Sequence, residues 1–148
     1  MDIKLIKQLR DETGVSIADI KQALEESKND TKKAKELLRE WGLKKAVKKG
    51  DRVTEQGIVS AYIHGNGNVG ALVSLACETD FVARTDDFKN LAKEIAMQVA
   101  AMNPKDTEEL IKQAYIRDPK VTIEELIKQS IAKLGENIQV KSFSRQAF

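Results

Sequence analysis

A chain of 148 residues with 25 Lys+Arg against 23 Asp+Glu carries a net charge of only +2, which argues against a polyanion mimic or a dedicated nucleic-acid coat. A single Cys and a single His exclude an internal disulfide framework and a Cys/His zinc site within one chain, and they fit a cytoplasmic location. No apolar run approaches the roughly 20 residues that span a bilayer, and the charged N-terminal stretch has no signal-peptide core.

Residues 1–52 hold 14 basic and 10 acidic side chains, whereas residues 53–148 hold 11 and 13. The sign changes around Lys48-Lys49-Gly50-Asp51-Arg52, a polar stretch that reads as a linker. Three short helices are predicted before it. Ile3, Ile6 and Leu9, with Leu5 alongside, mark a helix over about 3–12 that Thr13-Gly14 stops. Ser16 can cap the next helix, with Asp19 giving a capping-box pattern and Ile17, Ile20, Ala23 and Leu24 forming its buried face. Asn29-Asp30 ends it and offers a cap for the next. A third helix carries Ala34, Leu37, Leu38 and Trp41, with Gly42 as its expected C′ residue. The expected domains are a three-helix module over 1–45, a basic linker over 46–55 and a second domain over 56–148.

Past the linker the periodicity changes. Gly57–His64 and Val69–Cys77 are rich in β-formers, and Gly65-Asn66-Gly67-Asn68 between them is a hairpin-turn signal. Phe88, Leu91, Ala92, Ile95, Ala96 and Val99 mark an amphipathic helix over about 86–102, capped by Thr85 or Asp86 and ended by Asn103-Pro104. A shorter helix is predicted over 107–115, with Pro119 in a turn after it. Thr122-Ile-Glu-Glu125 opens a helix that Gly135 ends. Ile138 and Val140, extended by Phe143, suggest a last strand. The fold class is α+β: a three-helix module, then a small antiparallel sheet with helices packed on one face.

Catalytic signals are weak. Gly65–Gly70 formally matches G-x-G-x-x-G, but a strand rather than a helix follows it, so it reads as a hairpin. His64 and Cys77 meeting across that hairpin would be the one base–nucleophile pair on offer. Against it, a lone Cys that ends an apolar strand reads as a small buried hydrophobe. Asp86-Asp87, Glu108-Glu109 and Glu124-Glu125 stand at predicted helix starts, where the helix dipole accounts for them. No aromatic interleaves with Lys44-Lys45-Ala46-Val47-Lys48-Lys49 to stack bases. The most informative stretch is Glu78-Thr79-Asp80-Phe81-Val82-Ala83-Arg84, which joins an apolar strand to a charged helix. Phe81 and Val82 there either tuck beneath the following helix or present an aromatic anchor flanked by charge, a frequent hot-spot composition.

The strings Leu5-Ile-Lys-Gln-Leu-Arg-Asp-Glu-Thr-Gly14, Asp19-Ile-Lys-Gln-Ala-Leu24, Cys77-Glu-Thr-Asp-Phe-Val-Ala-Arg84 and Ile131-Ala-Lys-Leu-Gly-Glu-Asn-Ile138 occur in an order that resembles the bacterial elongation factor Ts family over nearly the whole chain. The resemblance implies a guanine-nucleotide exchange factor for elongation factor Tu, not an enzyme, with no cofactor of its own and a ubiquitin-associated-like N-terminal module. It implies that Thr79, Asp80, Phe81 and Val82 enter the partner's GTPase domain and disturb its Mg²⁺ and phosphate site. It further implies that Lys7, Arg10, Ile17 and Ala18 brace that domain, and that His64 and Gly65 face a second domain of the partner. The chain departs from the family pattern at 103–120, where few residues separate the long helix from the closing signature. With one core copy, docking on two partner domains would need a homodimer joined through the sheet or last strand. Ser144 stands about where some short members carry Cys, so that dimer would be non-covalent. The alternative is a protein- or nucleic-acid-binding adaptor without exchange activity.

Overall fold

The computed structural model describes residues 2–148. Three helices open the chain: α1 (Ile3–Thr13), α2 (Ile17–Glu26) and α3 (Thr31–Lys48). Their ends follow local hydrogen-bonding rules. Asp2 caps α1 through the Lys4 N–H at 2.9 Å, and Gly14 closes it in the left-handed conformation at φ 67°. Ser16 accepts from the Asp19 N–H at 3.2 Å and donates to the Asp19 carboxylate at 2.9 Å. Asp30 accepts from Lys32 N and Lys33 N at the start of α3. Leu9, Ile20, Ala23, Leu24, Ala34 and Leu38 form the core of this module, with Leu37 and Trp41 packed at its edge. Ile17, expected on the buried face of α2, turns outward instead at 45% exposed, and Ile3 is 80% exposed, because each begins its helix before the packed turns.

Gly42 does not end α3. The helix continues to Lys48, so the first part of the expected linker is helical. A Cβ at Gly42 would lie 3.3 Å from the Ala132 Cβ, and the glycine thus lets α3 approach the later helix closely. The 18-residue helix joins two cores. Leu38 belongs to the first and Ala46 to the second.

The second core is built on a three-stranded antiparallel sheet of order β1-β2-β5, from β1 (Gln56–His64), β2 (Val69–Cys77) and β5 (Gln139–Ala147). The β1–β2 hairpin runs in unbroken register from Gln56↔Cys77 to His64↔Val69. The β2–β5 pairing shifts by one residue at Ser74/Leu75. Inward-facing Ala71, Val73, Leu75 and Cys77 alternate along β2. They pack with Phe88, Leu91, Ile95 and Val99 of α5 (Asp86–Met102), which covers this face as expected. Thr85 caps α5, and Asn103 ends it at φ 46°.

The connection from α5 differs from expectation. Helix α6 (Thr107–Lys112) is shorter, and a two-stranded ribbon follows it, β3 (Ala114–Tyr115) against β4 (Asp118–Thr122). Pro119 lies in β4 rather than in a turn between helices, an edge strand where its missing N–H is tolerated. The fully buried Gln98 of α5 holds the ribbon. Its amide nitrogen donates to the Gln113 side chain at 3.2 Å and the Ala114 carbonyl at 3.1 Å, and its oxygen accepts from the Ile116 N–H at 3.1 Å. Helix α7 (Ile123–Leu134) opens on the Thr122 cap, ends at Gly135 and packs chiefly against α3, where Arg39 and Glu125 form an ion pair. Among the described residues no helix is long and apolar enough to cross a membrane.

Candidate partner interface

Between β2 and α5 the chain forms one helical turn, α4 (Asp80–Ala83). Four residues are too few for a periodicity, so the sequence showed only a connection here. The turn is fixed at both ends. Thr79 Oγ1 accepts from the Val82 N–H at 3.3 Å, and Thr85 Oγ1 donates to the Val82 carbonyl at 2.7 Å while accepting from the Phe88 N–H at 3.2 Å. Asp80 and Arg84 form an i,i+4 ion pair at 3.2 Å. The two apolar residues of the turn part company. Val82 is half-buried against the core, whereas Phe81 is 77% exposed. Tucking beneath the helix therefore describes Val82 and not Phe81.

The turn between α7 and β5 clamps the residues that lead into α4. Glu136 Oε1 accepts from the backbone N–H groups of Glu78 at 3.1 Å and Thr79 at 2.9 Å, and its Oε2 accepts from the Thr79 hydroxyl at 2.7 Å. In return the Asn137 N–H donates to Glu78 Oε2 at 3.0 Å, and Arg52 approaches the same oxygen at 3.6 Å. Neither Glu136 nor Asn137 stood out in the sequence as a positioning group. The polar pair directly after the Gly135 helix stop was the available signal.

His64 and Cys77 do not meet. They occupy opposite ends of the hairpin, roughly 25 Å apart at the usual strand rise. Burial, followed by the nearby Glu136 charge, pushes the Cys77 thiol pKa up, and the thiol donates to the Thr79 carbonyl at 3.1 Å. A thiol held protonated in this way is a poor nucleophile. His64 instead bonds the Tyr62 hydroxyl through Nδ1 at 3.0 Å, beside a turn in which Gly65 (φ 49°) has open space where a Cβ would stand. His64 and Gly65 thus lie at the end of the sheet away from α4.

Lys7 and Arg10 are exposed on α1 and share a face with the exposed Ile3, given the four- and three-residue spacings. Ile17 and Ala18 are exposed at the start of α2. The structure therefore joins Thr79 to Val82 in one fixed turn. It keeps the N-terminal group and the hairpin-tip group as separate surfaces.

These features define an α+β protein with a helical N-terminal module and an exposed aromatic on an anchored turn. Residues 78–147 match the family model described as Elongation factor TS. The chain is 43% identical over 186 aligned positions to the elongation factor Ts of Coprothermobacter proteolyticus, covering 95% of this chain and 94% of the relative. It is 40% identical over 185 positions to that of Thermoanaerobacter sp. (strain X514), covering 95% and 91%, and 36% identical over 187 positions to that of Carboxydothermus hydrogenoformans, covering 96% and 86%. The chain belongs to the elongation factor Ts family, nucleotide-exchange factors of translation elongation. An alignment of 185 positions exceeds the 148 residues present, so the Thermoanaerobacter relative carries a few tens of residues with no counterpart here.

Proposed function

We propose that this chain binds elongation factor Tu in the cytoplasm and accelerates GDP release by inserting Phe81 beside the nucleotide site. The observation that carries this is the 77% exposure of Phe81 on a turn fixed at both ends. An aromatic that gains nothing from exposure and costs little entropy to dock is suited to an interface anchor. Asp80 and Thr79 accompany it at the contact, and Val82 seats the turn on the core. The entering segment displaces the groups that hold Mg²⁺ and the phosphates, so the partner's grip on GDP weakens. No covalent chemistry is required. The factor binds nucleotide-free partner more tightly than nucleotide-bound partner, and by reciprocity GDP weakens the factor by the same ratio. Each tenfold of that ratio is about 1.4 kcal/mol, and one buried aromatic anchor supplies about 2 kcal/mol or more.

The three-helix module, residues 1–45, braces the same partner domain through Lys7, Arg10, Ile17 and Ala18. The core domain, residues 56–148, carries the wedge at one end of its sheet and His64-Gly65 at the other. A homodimer reconciles this span with docking on two partner domains, one protomer supplying Phe81 and the other the His64-Gly65 contact. The outer sheet face supports such a dimer. Val59, Ile63 and Leu72 are 67%, 65% and 49% exposed there, a concentration of apolar surface that association would cover. Ser144 pairs with Leu72 on that face, which leaves the association non-covalent.

The test is release of a fluorescent GDP analogue from purified elongation factor Tu, with wild type and Phe81→Ala. Acceleration by wild type that Phe81→Ala loses supports the reading. No acceleration by the folded wild type overturns it, and binding to elongation factor Tu without acceleration would indicate an adaptor.

A further inference from the structure

We infer that Glu136 is a positioning residue for the Phe81 wedge, acting through Thr79 from the far side of the chain; this rests on the exchange reading above. The backbone N–H groups of Glu78 and Thr79 follow the last paired residue of β2 and precede the first helical residue of α4, so neither the sheet ladder nor the helix bonds them. Both donate to one oxygen of the Glu136 carboxylate, at 3.1 and 2.9 Å, and the Thr79 hydroxyl donates to the other at 2.7 Å. That third bond sets the hydroxyl rotor. With its proton committed to Glu136, Thr79 Oγ1 turns a lone pair to the Val82 N–H, the bond that caps α4.

A turn of four residues has no propensity of its own to persist, because helix nucleation fixes several dihedrals for each bond gained. Its persistence rests on the Thr79 cap, the Thr85 bonds, the local Asp80–Arg84 ion pair and the seating of Val82 and Ala83. Of these, only the Thr79 cap is governed by a charged group distant in sequence. Carboxylate bonds to backbone N–H are stronger than neutral ones, so the clamp can hold a strained or loaded turn. An aromatic pushed between elements of a partner transmits load back to its own base. Without the clamp, part of the free energy of docking would go into ordering residues 78–82 instead of opening the nucleotide site.

The experiment measures GDP-analogue release from elongation factor Tu at saturating factor, using wild type, Glu136→Ala and Glu136→Gln, each alone and combined with Phe81→Ala. Melting curves and amide hydrogen exchange of the Thr79 and Val82 N–H groups accompany it. The expected result is a loss of about tenfold or more in maximal release rate for Glu136→Ala, faster exchange at Thr79 and Val82, and unchanged protection of α5. Glu136→Gln, which keeps one oxygen for the two backbone donors, should fall between. In the Phe81→Ala background neither change should slow release further, since a positioning residue has nothing left to position. Wild-type release rates in Glu136→Ala, or in Glu136→Gln should the alanine variant not fold, would overturn the inference. So would an equal loss with and without Phe81. A Phe81→Ala protein as fast as wild type would instead remove the exchange reading itself.

Discussion

The side-chain amide of Asn137 donates to the Arg52 carbonyl at 2.8 Å, and also reaches the Gly50 carbonyl at 3.2 Å, so the turn after α7 grips the segment that leaves α3. Lys49 reinforces this by donating to the Gly135 carbonyl at 3.1 Å. The three-helix module is thereby held to the core at its exit as well as along α3, where Arg39 meets Glu125. Two surfaces on different cores can act on one partner only if their separation is kept. This contact helps to keep it.

Asn137 is 2% exposed. Its replacement by Ala removes two hydrogen bonds and leaves a small void, which should cost about 2 kcal/mol in urea denaturation. A change below about 0.5 kcal/mol would show that the Lys49 and Arg39 contacts suffice to hold the two cores.

Phe81 and Phe88 are seven residues apart and have opposite surroundings, one 77% and the other 0% exposed. Phe88→Ala should lose about 3–5 kcal/mol through transfer and cavity effects, whereas Phe81→Ala should change stability by less than about 0.5 kcal/mol. Comparable destabilisation of both variants would mean that Phe81 packs into the fold.

The Lys45 ammonium, at 2.8 Å, holds the Asp19 carboxyl below its ordinary value of 3.8, with burial opposing and Ser16 assisting. A carboxylate that binds its proton less readily folded than unfolded contributes stability above the unfolded pKa. That contribution disappears as pH falls below about 4 and through the lowered folded value. Lys45 is half-exposed, so it should amount to only about 0.5 kcal/mol. Denaturation of Asp19→Asn and wild type should therefore differ at pH 7 and converge as pH falls through the lowered folded value. A gap that widens on acidification would reverse the sign.

The outer sheet face should dimerise. Light scattering at micromolar concentration should give twice the chain mass for wild type and the single chain mass for Leu72→Lys, with unchanged circular dichroism. A monomeric wild type would leave one copy to make all the contacts proposed here.

Glycines differ in how much they permit. A Cβ at Gly57 would fall 2.1 Å from the Leu75 carbonyl oxygen and 2.9 Å from the Ala76 Cα, backbone atoms in the paired register that cannot yield cheaply. Gly57→Ala should cost about 3 kcal/mol. Gly65 has open space around it but φ 49°, so Gly65→Ala should cost only about 1 kcal/mol. Equal melting temperatures for the two variants would contradict the distinction.

Much of this architecture was legible from neighbouring residues. Ser16, Asp30, Thr85 and Thr122 cap the helices they were expected to cap, because each bond spans only two or three residues. Gly14 and Gly135 end theirs, since left-handed backbone favours glycine. The turn at Gly65–Asn68 and both hairpin strands lie where β-formers and turn residues put them.

What failed to show in the sequence depends on distant partners. Gly42 reads as a stop, yet it sits inside α3, because close approach to Ala132 of α7 offsets its helix penalty of about 1 kcal/mol. The β3–β4 ribbon is too short for a pattern and is held by Gln98, at least fifteen residues earlier. Ile17 satisfies a helical periodicity but begins its helix outside the packed turns.

By itself, then, the sequence determined the α+β class, the helix ends and the hairpin, because periodicity, capping and turn chemistry act over a few residues. It also carried the family, to which the match over residues 78–147 and the 43% identity to a relative assign the chain. Only the tertiary structure decided that Phe81 stands in solvent while Val82 beside it is half-buried. That depends on α4 lying against the core, with Thr79 held by a carboxylate 57 residues further along the chain. Exposure is a property of what packs nearby, and no local rule specifies it.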